Sequence, residues 1–585
     1  MASTRAGKGG FGAGGGLAAR FAVWRASRGP VAQGFVSSPE PRSIGMFARG
    51  RQLVAGNYLF AGHLIEAPGT ALWEVDPPDA DFAAELQGFV WLDDLAALGD
   101  AQARAKAQAW TADWIARFGR GRGPGWTPDL TGRRVIRWIN HALFLLNGAD
   151  QRANTAYYAA LTVQTRYLAR HWPKAAPGLP RFEALTGLIY AGLSLLGMEA
   201  LVGPATAALA EEAGREVDAS GGIATRNPEE LLEVFTLLNW AAQALTETGR
   251  TVPEAHLAAM ERMAPTLRTL RHADGGLARF HGGGTGDEGR LDQALASAGV
   301  RPAPHRGHGI PPAMGFVRLA AGRTSLIMDA AAPPGGRAGR SGHASTLAIE
   351  VTSGRRPLVV NCGSGAPFGG EWRRAGRATP SHSTLCLDGV SSSRFGRTGG
   401  DVLEDRAHVL TLRQMDTDKG HAVHCAHDGW SQTHGLTHAR DLALSHDGRH
   451  IAGVDLLIAL NPQGRAQFER VLTASGLKGV GFAIRFHLHP DADATLDMGG
   501  NAISVALRSG EIWVFRHDSN ATLALEPSVY LEKGRLRPRA TKQIILSGFA
   551  AQIETRIGWT LSKAQDTPLA IRDLDRDDPF DPNLT

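Results

Sequence analysis

Two histidines that border short apolar segments are the side chains of this sequence best suited to chemistry. His343 lies within Ser341–Ser345, and His382 follows a Thr-Pro turn and precedes the apolar segment Leu385–Leu387. Imidazole exchanges protons near neutral pH and ligates metals, so two histidines at strand edges of a β-sandwich predict an acid–base pair or a metal site. We take His343 and His382 as the candidate catalytic residues.

Composition narrows the class of protein. A chain of 585 residues is too long for one core, so two or three domains are expected. The net charge of +5 comes mostly from scattered arginines. It suits an acidic ligand such as a uronic-acid glycan, but no basic stripe alternates with aromatic residues, so nucleic acid is not expected. Three cysteines argue against a disulfide framework and favour small buried hydrophobes.

The sequence shows neither a membrane span nor an export signal. No segment approaches the roughly 20 consecutive apolar residues that cross a bilayer. The N-terminus is basic and Gly-rich but lacks a continuous apolar region, so we predict no signal peptide, which favours the cytoplasm.

A helical domain is predicted at 36–271, after a flexible Gly- and Arg-rich N-terminus at 1–35. From residue 82 the apolar residues recur at helical spacing, as Trp110, Trp114 and Phe118 do. The predicted helices are 82–97, 101–118, 132–147, 153–171, 181–198, 204–216, 228–247 and 253–271. Their short connections predict antiparallel hairpins arranged as an incomplete α/α toroid.

A β domain is predicted at 315–565, between a Gly/Pro-rich connector at 272–314 and a tail at 566–585. Short apolar or alternating segments are separated by Asp-Gly turns, which is typical of an antiparallel β-sandwich. Of the 21 histidines, 17 follow residue 270. This uneven distribution favours a histidine-containing site in the β half.

Three segments of the predicted β domain form a recognisable set: Gly342–Leu347, Pro357–Gly363 and Arg377–Thr384, the last followed by an Asp-Gly turn. Together they resemble the heparinase II/III-like polysaccharide lyase family. That family's C-terminal domain has a strand with a histidine, a strand ending in Asp-x-Gly, and an Arg-x-Thr-x-x-His-Asn segment. The helical domain matches the family by architecture.

The resemblance implies an enzyme that cleaves an acidic polysaccharide by β-elimination, located in the cell envelope or periplasm. In that reaction a base removes the proton beside a uronate carboxylate that a cation or donor must neutralise, and an acid protonates the leaving oxygen. The acidic polysaccharide is the expected partner, and the oligomeric state stays open. The rival hypothesis is a non-catalytic glycan-binding or envelope protein that keeps the scaffold.

The resemblance also implies roles for individual residues. His343 matches a strand histidine that binds zinc in some family members, His382 matches the histidine of the Arg-x-Thr segment, and Asn361 falls where those members have an aspartate ligand. His343, Asn361 and His382 are therefore the candidate metal ligands, and zinc is the candidate cofactor. A neutral amide is a poorer zinc ligand than a carboxylate. Ser341 stands where zinc-binding members have a catalytic histidine.

The helical domain departs from the family pattern. Family lyases open one helix with Arg-Ser-Pro-x-Tyr-His, and the matching segment here begins at Arg226 but has Glu230 and Leu231 at the Tyr and His positions. Either another residue supplies the acid, or the chain does not catalyse the family reaction.

Four further residues are candidates for substrate binding: Arg377, Arg134, Arg279 and Trp138. Arginine forks match carboxylates, and an aromatic face can stack on a sugar. For Trp138 the alternative is a place in the helical core, with the neighbouring arginines on a partly solvated helix face.

Overall fold

The computed structural model describes residues 16–36, 40–299, 312–396, 400–518 and 521–565. Within them the chain forms two compact units. The first unit takes the described residues up to 216 together with 233–260, and the second takes 217–232 together with those from 261 onward. The second unit thus includes two short stretches, 217–232 and 261–271, that the sequence assigned to the helical domain. The predicted tail at 566–585 lies outside the described residues.

Helices make up nearly all of the regular structure before the β domain. They are α1 (Gly16–Ala26), α2 (Phe47–Ala55), α3 (Ala80–Gly88), α4 (Trp91–Leu98), α5 (Ala101–Phe118), α6 (Pro128–Asn140), α7 (Ala142–Leu146), α8 (Gln151–His171), α9 (Leu179–Ser194), α10 (Val202–Glu216), α11 (Pro228–Glu247), α12 (Glu254–Leu270) and α13 (Arg290–Ser297). One antiparallel hairpin joins β1 (Asn57–Phe60) to β2 (His63–Glu66).

Side-chain caps fix where several of these helices begin. Asp79, Asp100 and Asp150 each accept a hydrogen bond of 2.7 Å from the backbone amide three residues later. Each cap satisfies one of the amides that lack a partner in the first turn. The predicted helix at 82–97 is divided into α3 and α4 because Phe89 adopts a left-handed conformation with φ of 61°.

Close contact between two glycines lets α6 and α9 pack tightly in the first unit. A Cβ atom on Gly187 would lie 2.6 Å from the Cα atom of Gly132, which is too close for any side chain. Around this crossing, large aromatic side chains fill the core, including the fully buried Trp91, Trp114 and Phe182. Burial of these rings supplies much of the hydrophobic stabilisation of the unit.

Two predictions of irregular structure are corrected in part. Residues 16–26 of the predicted flexible N-terminus form α1, in which Val23 and Ala26 are buried and hold the helix against its neighbours. The predicted connector at 272–314 contains α13, which buries Leu291 and Ala294. In both segments a few apolar residues at helical spacing outweigh the glycines around them. Residues 1–15 and 300–311 lie outside the described part of the chain.

Antiparallel strands build the second unit. They are β3 (Phe316–Ala321), β4 (Thr324–Asp329), β5 (Ile349–Ser353), β6 (Arg356–Val360), β7 (Leu385–Leu387), β8 (Arg394–Phe395), β9 (Leu403–Asp405), β10 (Val409–Thr417), β11 (Gly420–Trp430), β12 (Leu436–Ser445), β13 (His450–Ile458), β14 (Val480–Leu488), β15 (Ala492–Asp497), β16 (Ala502–Leu507), β17 (Ile512–His517), β18 (Thr522–Tyr530), β19 (Arg539–Ala550) and β20 (Glu554–Gln565). Three helices interrupt them: α14 (Gly370–Gly376), α15 (Ser431–His434) and α16 (Pro462–Ala474).

The strands form two large sheets. One has the order β10-β11-β12-β13-β20-β17-β16-β15, and the other has the order β18-β19-β14-β6-β5-β4-β3, with β7 also paired to β14. Apolar side chains from both sheets form one core cluster, to which Trp430, Phe486 and Trp559 contribute large rings. The predicted fold class, helical hairpins followed by an antiparallel β-sandwich, is confirmed. Among the described helices, none is both long and apolar enough to cross a bilayer.

Candidate functional site

The two histidines chosen from the sequence meet inside the second unit. His343 Nδ1 and His382 Nε2 are 3.0 Å apart, and both side chains are buried. His382 Nδ1 donates to the backbone carbonyl of Ala378 over 2.9 Å. In a neutral imidazole the other nitrogen must then accept, so His343 Nδ1–H donates to His382 Nε2. The remaining lone pair of the couple therefore lies on His343 Nε2.

A third histidine connects this pair to a buried ion pair. The backbone amide of His343 donates to His281 Nδ1 over 3.1 Å, and His281 Nε2 lies 3.4 Å from Asp329. Asp329 also receives Arg226 at 2.5 Å and the hydroxyl of Ser345 at 2.7 Å. Together with His382, these five residues form a continuous polar network in which His281 and Asp329 have no exposed surface.

Burial sets the protonation of the network. It lowers the pKa of His382 to about 4 and, aided by the neighbouring His382, holds the pKa of His343 well below its usual range. Burial alone would raise the pKa of Asp329, but the charge of Arg226 and the hydrogen bonds from His281 and Ser345 together outweigh it and lower that pKa. At neutral pH the network therefore holds neutral imidazoles beside one ion pair.

The residues present do not fit the predicted zinc ion. The carbonyl oxygen of Asn361 accepts a hydrogen bond from the backbone amide of Ser383 at 3.0 Å, and its amide nitrogen donates to Glu350 at 3.3 Å. The side-chain oxygen of Asn361 is thus held by the backbone of Ser383, and a neutral amide is in any case a weak zinc ligand. Across the described residues, no group of three His, Cys, Asp or Glu side chains converges as a metal site would require. Metal ligation by His343, Asn361 and His382 is therefore not carried further.

Arg377 and Arg279, which the sequence analysis names as candidates for substrate binding, have backbone carbonyls as partners in the second unit. Arg377 donates to the carbonyls of Gly342 and Gly339 at 2.8 Å each, and burial lowers its pKa to about 10. Arg279 donates to the carbonyls of Cys362 and Leu531, with its guanidinium 4.0 Å from the ring centroid of Tyr530. Both side chains are buried, and their hydrogen bonds hold the backbone around the histidines.

Arg134 and Trp138, the other two candidates for substrate binding, are buried in the core of the first unit. Arg134 is fully buried in the first unit, where it donates to Gln164 at 2.6 Å and to the carbonyl of Gln87 at 2.9 Å. Burial lowers its pKa to about 9. Trp138 is also fully buried and stacks on Tyr157 with ring centroids 5.4 Å apart. Trp138 therefore lies in the helical core, which was the alternative to a sugar-binding position, and Arg134 lies in the same core.

An exposed basic surface lies beside the histidine segment and was missed in the sequence. Arg337 and Arg340 are exposed in the short helical turn that precedes His343. Arg374 and Trp372 are exposed on α14, whose Arg373 reaches the carbonyl of Arg340. The adjacent Trp372-Arg373-Arg374 in the sequence was the available indication, and we call these five residues the arginine–tryptophan surface.

At the motif position, which lies in the second unit, Glu230 stands in place of the acid that the resemblance implies. Leu231, at the family's histidine position, is fully buried. Tyr530 is the one tyrosine in the sequence of the second unit. Its ring is buried between Arg279 and His489, and burial raises its pKa. A buried phenol held in this way is a structural group.

Comparison with known proteins identifies the scaffold. Residues 305–560 match the family model for the heparinase II/III-like C-terminal domain. The crystal structure of heparinase III superposes with a TM-score of 0.66 at 11% identity, covering 94% of this chain and 89% of that one. Residues 305–560 of this chain thus form a heparinase II/III-like C-terminal domain. A mutant of heparan sulfate lyase HepC from Pedobacter heparinus has the same fold, with a TM-score of 0.57, 13% identity, and coverage of 94% and 88%.

A curated relative has a different kind of name. FtsZ-localized protein C of Caulobacter vibrioides (strain NA1000 / CB15N) is 29% identical over 548 residues, which cover 92% of this chain and 91% of the relative. Its name describes where that protein is found and mentions no lyase activity. The two sequences are therefore similar over nearly their whole length, which includes the sequence of both units of this chain.

Proposed function

We propose that this heparinase-like protein is a non-catalytic member of the family that works in association with FtsZ. The observation that carries the proposal is the buried hydrogen bond between His343 and His382. His343 and His382 are the candidate catalytic residues, and in the structure they bind each other while His382 also binds the backbone.

The chemistry of β-elimination makes this observation relevant. A general base works best with a pKa near the working pH. His382, with a pKa of about 4, and His343, with a still lower tendency to take a proton, are weak bases at neutral pH. The replacement of the family's catalytic His by Ser341, and of its Tyr by Glu230, supports the same conclusion.

The relative supplies the second half of the proposal. FtsZ-localized protein C matches 92% of this chain, including the sequence of both units, and this extent supports a shared localisation. For this protein we therefore favour a place beside FtsZ over the envelope or periplasmic location that the lyase resemblance implied.

Co-sedimentation with purified FtsZ tests the association. The full chain is centrifuged with FtsZ polymers assembled with GTP, and with unassembled FtsZ as the control. We expect the chain in the polymer pellet, and we expect His382→Gln to pellet equally, because the histidine pair has no catalytic task. A chain that stays in the supernatant at micromolar concentrations of both proteins would rule out direct association.

The arginine–tryptophan surface favours a second candidate, binding of an acidic glycan without cleavage. Exposed guanidinium groups beside an exposed indole match the carboxylates and the ring faces of such a glycan. Affinity electrophoresis in gels that contain heparan sulfate tests it. Retardation that Arg340→Gln or Trp372→Ala reduces, and that the exposed Arg413→Gln on β10 does not, would support glycan binding.

A further inference from the structure

A small polar cavity lies within the second unit and shares no residue with the predicted site. Its volume is about 190 Å³. Its lining comes from the turn between β5 and β6, the stretch after β14, the turn between β16 and β17, and the loop before residue 275: Asp274, Arg355, Arg356, Pro357, His489, Asp491, Leu507 and Arg508. Turns from both sheets of the sandwich thus meet around one partly open space.

The lining carries more positive than negative charge. Arg355, Arg356 and Arg508 face the cavity with two carboxylates, those of Asp274 and Asp491. Asp491 is already neutralised, because it accepts Arg508 at 3.0 Å and Arg539, from outside the lining, at 3.2 Å. Arg539 also reaches Glu532, which in turn pairs with Arg535. Including these outer groups, arginines still outnumber carboxylates around the cavity.

Arginine forks recognise oxyanions. Each guanidinium presents planar pairs of N–H donors that match the oxygens of a phosphate or a carboxylate. Arg355 and Arg356 come from one sheet and Arg508 from the other, so an anion in the cavity would be approached from two sides. A phosphate monoester has three acceptor oxygens and a charge near −2, and so uses several forks better than a carboxylate does.

The remaining lining groups suit hydroxyl groups. Burial lowers the pKa of His489 to about 4, so at neutral pH its ring is an uncharged hydrogen-bonding group. Its Nδ1 accepts the backbone amide of Asp491 at 3.2 Å, and in a neutral ring this makes Nε2 a donor. The carboxylate of Asp274, which accepts one hydrogen bond of 2.9 Å from the amide of Gly276, has further acceptor capacity.

We propose that this cavity binds the phosphate group of a small phosphorylated polyol or sugar. Arg355, Arg356 and Arg508 hold the phosphate, while His489 and Asp274 meet hydroxyl groups of the body. The cavity volume of about 190 Å³ equals that of roughly six water molecules in the liquid, which leaves space for a small phosphorylated polyol or sugar.

Isothermal titration of the full chain at constant ionic strength tests the proposal, with inorganic phosphate, glycerol 1-phosphate, glycerol and acetate as probes. We expect saturable binding of both phosphates and none of glycerol, with acetate at least about tenfold weaker than phosphate. Arg355→Gln, at an exposed turn, lowers the affinity for both phosphates about tenfold. His489→Gln weakens glycerol 1-phosphate more than inorganic phosphate.

The matched control removes an arginine elsewhere. Arg413→Gln on β10 makes the same change in net charge at an exposed position and leaves both affinities unchanged. Because Arg508 also pairs with Asp491, Arg508→Gln is judged only beside Arg355→Gln, which disturbs no ion pair of the network. Absence of saturable phosphate binding, equal loss from Arg413→Gln, or equally tight acetate binding would each overturn the assignment.

Discussion

The ion pair between Arg226 and Asp329 gives the most exact test of the buried network beside the histidines. The prediction concerns Asp329→Asn, which keeps the size and one acceptor oxygen of the side chain but removes its charge. Asp329 has no exposed surface, and Arg226 is nearly buried, so the variant leaves a buried cation without its counter-charge. Removing one partner of a buried pair costs about 3–5 kcal/mol.

The remaining contacts of Arg226 place the expected loss in the lower part of that range. Its guanidinium also donates to the carbonyls of Met314 at 3.0 Å, Gly315 at 3.1 Å and Ala332 at 2.8 Å. These dipoles stabilise the cation that Asp329→Asn would leave, so we expect a loss of about 3 kcal/mol. The loss corresponds to roughly 100-fold faster exchange of amides whose exchange follows the equilibrium of unfolding, since each 1.4 kcal/mol is a factor of ten.

Amide hydrogen exchange in the full chain measures this loss within the second unit alone. The slowest amides of β4 and β5 report its unfolding free energy. The control is Asp405→Asn, which removes the charge that pairs with Arg394. Because the Asp405 side chain is 57% exposed, we expect this variant to lose at most about 1 kcal/mol of unfolding free energy. Equal, small effects of both variants would refute the description of Arg226 and Asp329 as a buried pair.

Three further predictions follow from the structure. Because burial lowers the pKa of folded His382 to about 4 from 6.5, the unfolded chain binds a proton that the folded chain does not between these values. The stability that neutral, buried His382 allows is thus present above pH 6.5 and is lost as the pH falls toward 4. His382→Gln should therefore remove about 2 kcal/mol of the stability difference between pH 7 and pH 5, measured by urea unfolding. An unchanged pH dependence would contradict the burial of His382. Gly187→Ala should destabilise the first unit by about 1–3 kcal/mol through its contact with α6, whereas Gly214→Ala, with open space around it, should not destabilise it, and calorimetry compares the two. A thiol reagent should label the unfolded chain fully and the native chain hardly at all, because burial raises the pKa of the thiols of Cys362, Cys386 and Cys425. Rapid labelling of the native chain would refute this expectation.

Local sequence was enough to predict elements whose ends carry strong caps. α5 has the predicted bounds 101–118, and α11 has the predicted bounds 228–247. Asp100 caps the first, and Asn227 accepts backbone amides at the start of the second. The division at Phe89 could not be predicted in this way, because a buried aromatic residue with positive φ is held there by its tertiary contacts.

The helix α16 shows a different limit. Its Asn461-Pro462 start is of the same kind as that of α11, and Asn461 accepts the amide of Gly464 at 2.8 Å. It was missed because it lies among strands, where the expected pattern is short alternating segments. Only Phe468 of this helix is fully buried, so its apolar face is too narrow to stand out in the sequence.

For the candidate site, sequence motifs predicted which histidines matter but not what they contact. The proximity of His343 and His382 follows from the resemblance, since both match family positions. The partners of Arg279 and Arg377 are backbone carbonyls, and a sequence does not indicate whether a guanidinium faces such carbonyls or solvent. The pairing of Arg226 with Asp329 joins segments about a hundred residues apart and depends on the complete fold.

The most direct test of the central claim is an assay for the unsaturated product of β-elimination. Purified full chain is incubated with a panel of uronic-acid polysaccharides while ultraviolet absorbance is followed, and an active heparinase serves as the positive control. The buried and mutually bonded His343 and His382 predict no product on any of them. Product that forms with the wild-type chain and disappears with His382→Ala, in a variant shown to be folded, would contradict the account.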